Sequence, residues 1–147
     1  MKHTWVLVAD GARARLFEVR ARNEPWNELA CFTNPDGRAP GRDATTERAP
    51  RVNESANAAR HAIEPHTTLR EKSMERFAHI INDALERGLH DHRYHKLVLV
   101  APPRFLGRLH NVLGKLLQDC VAGEIRHNFT SLRGEEIRAR LPARMFA

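Results

Sequence analysis

At 147 residues the chain has the length of one ordinary domain, for which about 100 to 200 residues is usual. Apolar residues make up 41% and charged residues 29%. A core is therefore within reach, and a mean hydropathy of -0.55 with no apolar run of about 18 residues argues against a transmembrane helix. Lys and Arg outnumber Asp and Glu by 24 to 18, a formal net charge of +6, which favours acidic partners such as nucleic acid without naming one.

Residues 4–9 are apolar on both faces, the pattern of a central strand covered on two sides. They contain only five consecutive apolar residues, fewer than the roughly 7 to 15 of a signal peptide. Asp10 and Gly11 then turn the chain, with Gly11 able to take a positive φ, into a second strand over 13–20 that has one wetter face. A third strand over 26–33 follows Pro25 and completes an antiparallel meander. Residues 34–66 are punctuated by Pro35, Pro40, Pro50 and Pro65 and read as one long loop, with a short helix around 53–61 inside it. Its five arginines, Arg42 among them, are balanced by five acids.

Thr68 and Glu71 have capping-box spacing, and Met74, Phe77, Ala78, Ile81 and Leu85 recur with helical period up to Gly88, a C-terminal stop. The run Leu97-Val98-Leu99-Val100 predicts a buried parallel strand. Pro102 and Pro103 open a second helix whose apolar stripe includes Phe105, Leu109, Leu113, Leu116, Leu117 and Cys120. A last strand over 121–129 precedes a helix capped by Ser131, with Ile137 and Leu141 facing inward. The expectation is one α/β domain over 1–147 with a mixed five-stranded sheet in the order β-β-β-α-β-α-β-α, the order of the ribonuclease H-like fold. Right-handed crossovers would set the later strands parallel to the first.

A nuclease on this topology needs carboxylates converging on a divalent metal, and neither residues 4–9 nor the end of the fourth strand supplies one. His90, Asp91, His92 and His95 read as polar turn residues rather than metal ligands. Cys31 and Cys120 have neither zinc-finger spacing nor a partner for nucleophilic catalysis. No catalytic residue, metal or cofactor is expected, and two free thiols suit a reducing, cytoplasmic compartment. The binding candidates are basic: Arg13 and Arg15, two apart on a strand, and Arg104, Arg108 and Lys115, aligned with Asn111 along the polar face of the second helix.

Residues 5–17 (WVLVADGARARLF) and 97–107 (LVLVAPPRFLG), with Pro40-Gly41-Arg42 in the loop, closely resemble the bacterial host attachment proteins, named for a requirement in attachment to host cells. In those motifs Asp10, Gly11, Pro102 and Pro103 encode turns rather than chemistry. That family in turn resembles the middle domain of archaeal and eukaryotic peptide release factors and of Pelota, which implies a ribonuclease H-like fold and a setting at the ribosome or its RNA. The release-factor Gly-Gly-Gln tip has no counterpart, since there is no Gly-Gly pair and the single Gln, Gln118, falls in the second helix. The resemblance thus implies a non-catalytic domain facing a ribosome or structured RNA through Arg13, Arg15, Arg42, Arg104, Arg108 and Lys115. Its alternative is a protein-interaction factor in attachment. The exposed edges of the meander leave room for a homodimer.

Overall fold

A computed structural model describes residues 3–21, 24–36 and 56–146, with the backbone alone over 56–68. Five strands form one sheet: β1 (Thr4–Ala9), β2 (Arg13–Val19), β3 (Asn27–Thr33), β4 (Lys96–Val100) and β5 (Val121–Ile125). Their order in space is β3-β2-β1-β4-β5. Strands β1, β2 and β3 pair antiparallel, whereas β4 and β5 run parallel to β1. Parallel neighbours need long crossovers, here α1 (Ala56–His90), then α2 (Pro103–Val112) and α3 (Lys115–Cys120). A short α4 (Gly134–Arg140) and a 3-10 turn (Ala143–Phe146) close the chain.

Every residue of β1 is buried because helices cover both faces. Trp5, Leu7 and Ala9 alternate into a core with Phe77 and Ile81 of α1 and Phe105 and Leu109 of α2. Val6 and Val8 point the other way, into a smaller core with Ile137 and Leu141. Bulky side chains fill the thicker layer and β-branched ones the thinner, as the two-residue period of a strand permits.

Several boundaries differ from the sequence reading, each for a local reason. The first helix runs from Ala56 through Thr68, so Thr68 is not a cap and residues 56–66 of the expected loop are helical, while its residues 37–55 lie outside the described residues. Pro65, read as a loop marker, lies inside that helix, and the proposed helix over 53–61 is its beginning. Gly88 does not end it either. The stop is His92, in the left-handed region with φ 59°, where the Arg93 and His92 amides donate to the Gly88 and Leu89 carbonyls at 2.9 and 3.0 Å, a Schellman closure. Gly88 is needed for close packing instead, because a Cβ there would stand 2.3 Å from the Trp5 ring.

The expected second helix is two. Leu113 and Gly114 are extended, with ψ of 132° and 167°, and Gln118 Nε2 donates to the Leu113 carbonyl at 2.8 Å. The break resets the face: Leu117 is buried while Leu116, assigned to the stripe, is 73% exposed. The last strand stops at Ile125 rather than 129. The final helix starts after Arg133, not at Ser131, with the Arg133 amide donating to Glu136 at 2.9 Å.

Candidate nucleic-acid interface

Parallel β1, β4 and β5 end on one edge of the sheet, and β2 begins there, so the topology gathers Asp10, Arg13, Pro102, Arg104 and Arg126 along it. The carboxyl ends of parallel strands are where α/β sheets usually bind ligands. Asp10 organises this edge. Its Oδ1 accepts the amides of Ala12 and Arg13 at 2.8 and 2.9 Å. Oδ2 accepts Asn128 Nδ2 at 3.0 Å and Thr130 Oγ1 at 3.2 Å. This Asx turn closes the hairpin without a left-handed glycine, since Gly11 has no φ in that region. The first two interactions close the turn and the last two hold it against the segment after β5. Removing them with Asp10→Ala is expected to destabilise the fold by about 2 kcal/mol, read as a lower urea midpoint.

Of the basic residues singled out from the sequence, Arg13 and Arg104 are exposed and form no ion pair with a described residue. Arg15 differs from Arg13 although only two residues away. Its guanidinium pairs with Glu28 at 2.9 Å and donates to the carbonyls of Thr130 and Leu132. It also lies 5.0 Å over the Phe17 ring. Its side chain is only 16% exposed, and the hydrogen bond to Arg15 holds the Glu28 carboxyl below its ordinary range. Arg15 is an internal tie rather than a free contact.

Arg108 bridges to Glu71 of α1 at 3.2 Å. Lys115 begins α3, beyond the helix break, and pairs at 3.8 Å with Asp119. The straight basic line through Arg104, Arg108 and Lys115 is therefore interrupted. Arg42 lies outside the described residues. Pro102 and Pro103 do open α2, Pro102 as an extended N-cap with φ -63° and ψ 154°.

The edge also holds residues that sequence reasoning missed. Arg126 and His127 follow β5 directly and are exposed, and the His127 ring stacks on Phe129 at 5.5 Å with an interplanar angle of 13°. Extending the last strand to 129 hid them, whereas β5 ends at Ile125 and turns them outward. Glu124, just before them, is taken by His110 at 2.7 Å.

Among the described residues no group of three or more His, Cys, Asp or Glu is arranged to hold a metal ion. His95 Nδ1 meets the His3 carbonyl at 2.9 Å, and His92 serves the helix stop. Burial pushes the Cys120 thiol up, away from the thiolate a nucleophile requires. No helix is long and apolar enough to cross a membrane among the described residues.

In three dimensions the chain is similar to the crystal structure of an archaeal translation termination factor, aRF1, with a TM-score of 0.53 and 10% identity. The match covers 98% of this chain and 36% of that one, so the chain spans about a third of the factor's length and the likeness is one of fold. No protein of curated function matches the sequence. A family model described as "Protein required for attachment to host cells" matches residues 5–141, nearly the whole chain. The chain therefore belongs to the family of proteins required for attachment to host cells.

Proposed function

We propose that residues 1–147 form a single non-catalytic, cytoplasmic domain that binds structured RNA, with the ribosome as its setting, through the edge where β1, β4 and β5 end. One observation carries this reading: Arg13, Arg104 and Arg126 are exposed along that edge without an acidic partner among the described residues. The neighbouring carboxylates are engaged elsewhere, Asp10 by the turn and Glu124 by His110, so neither forms an ion pair with these three arginines. Three guanidinium groups and a net charge of +6 suit a phosphate backbone. The order β3-β2-β1-β4-β5 supports a ribonuclease H-like fold, and the termination factor of similar fold supports the translational setting. Arg15 and Arg108 contribute by holding the framework, and Lys115 lies beyond the helix break as an outlying contact.

The test is binding of a labelled structured RNA across a salt series. Phosphate contacts release counterions, so the slope of log affinity against log salt should become shallower by about one unit for each of Arg13→Ala, Arg104→Ala and Arg126→Ala. Equal affinity and slope for wild type and the triple variant would remove the reading.

Family membership favours a second reading, a protein-interaction factor in attachment. Labelling of intact cells separates the two, because a protein reached by an impermeant reagent at the cell surface has no access to ribosomes.

A further inference from the structure

The outer edge of β3 has no paired strand among the described residues. It therefore presents unpaired amides and carbonyls, the template on which an extended peptide adds. Beside that edge, β3 and the second half of α1 border a cavity of about 270 Å³. Trp5, Leu29 and Phe32 contribute its apolar lining, and Arg87, Asp91 and Arg93 its polar part. The apolar lining is built by a bulge: the β2–β3 register shifts between Leu16 and Phe17, and Leu29 and Ala30 both pack against the α1-side core. Leu29 and Phe32 remain half-buried, so apolar surface continues past the cover that α1 provides.

Charge selects the occupant. Arg87 is exposed and forms no ion pair with a described residue, and the Arg93 guanidinium lies 5.3 Å from the Trp5 ring centroid. Asp91 offsets one of these charges without pairing with either, leaving the groove positive. A second copy added to β3 by a two-fold axis would keep both α1 helices on one face of a continuous sheet, setting the two arginine pairs on the same side. An acidic peptide avoids that repulsion.

We propose that this edge and groove bind an extended peptide as a sixth strand. It would carry an apolar side chain over Leu29 and Phe32 and, two residues along on the same face, a carboxylate that reaches Arg87 and Arg93. Two residues of strand span roughly 6.6 Å, and the apolar residues and the arginines line the same cavity. None of these residues belongs to the RNA-binding edge, so the two proposals stand or fall separately.

The probe is a fluorescein-labelled decapeptide in which every second residue is alternately Val and Glu and the intervening residues are Thr, followed by anisotropy. Saturable binding is expected, weakened about tenfold or more by Arg87→Glu with Arg93→Glu. Methylating the amides on one edge of the peptide should abolish binding, and methylating those on the other edge should leave it. Equal binding of a peptide with Lys in place of Glu, equal behaviour of the two methylated forms, or no binding at about 1 mM would overturn the proposal. So would a dimer of the free protein that forms through β3 and excludes the peptide, which would assign the edge to a second copy.

Discussion

Arg15→Ala is expected to lower the stability of the fold by about 3 kcal/mol, whereas Arg13→Ala, two residues earlier on the same strand, should change it by less than about 0.5 kcal/mol. The difference lies in what each guanidinium touches. Arg15 ties the carbonyls of Thr130 and Leu132, 115 and 117 residues away in sequence, to β2 and pairs with Glu28 of β3. Truncation leaves those acceptors and a carboxylate without their donor, and hydrogen bonds to charged groups are worth about 1.5 to 3 kcal/mol each. Arg13 is exposed and gives up only solvent contacts. Urea unfolding of the two variants checks the contrast, and equal midpoints would contradict it.

The same pair has a pH signature. The Glu28 carboxyl is held below its ordinary range in the folded state, first by the hydrogen bond from Arg15. Stability from a lowered carboxylate is fully present above the unfolded value of about 4.3 and is lost as the pH falls through the folded value. Below about pH 4.3 the wild-type urea midpoint should therefore fall more steeply than that of Arg15→Ala. Asp36 and Glu136, lowered mainly by Arg76 and by the Arg133 amide, titrate alike in both proteins and cancel from the comparison.

Gly88→Ala is the second large effect. The added Cβ would meet Trp5 at 2.3 and 2.5 Å and Tyr94 at 3.1 Å, and these rings stack with centroids 4.3 Å apart within the α1-side core. Neither is free to move, since Trp5 is 2% exposed and the Tyr94 hydroxyl donates to the Leu85 carbonyl at 2.6 Å. Overpacking such a site costs about 3 kcal/mol, or roughly 10 °C in Tm for a domain of this size. Gly107→Ala is the control. Gly107 lies in α2 with nothing within 4 Å of an added Cβ, so the substitution should raise stability by about 0.5 to 1 kcal/mol through helix propensity. Thermal melts with the two variants moving in the same direction would refute the packing account.

What could be read from the sequence followed local periodicity. Residues 4–9 and the run from Leu97 to Val100 identify themselves because no polar residue interrupts a strand buried on both faces. The mixed five-stranded sheet follows from them. The helix break at Leu113 and Gly114 was hidden because Leu109, Leu113, Leu116 and Leu117 keep helical spacing across it, and the extended backbone there, held by the Gln118 side chain on the Leu113 carbonyl, shows only in three dimensions. Although nothing local says that they share one sheet edge, Arg13 and Arg104 were legible as exposed basic candidates, one on a strand face and one on the polar face of a helix. Arg126 was not, because overextending a strand by four residues buries its neighbour His127 in a false pattern. The role of Arg15 depends on carbonyls more than 100 residues away, which no local reading reaches.

Ribosome co-sedimentation from lysate, repeated from low to high salt, tests the proposed RNA-binding role of this edge most directly. Wild-type protein is expected to pellet with ribosomes at low salt and to be released as ionic strength rises, while a variant with Arg13→Glu, Arg104→Glu and Arg126→Glu stays in the supernatant throughout, folded as judged by its unchanged urea midpoint. Equal pelleting of the two proteins, or a wild-type protein that never pellets, would contradict the account and leave the likeness to the termination factor as one of fold.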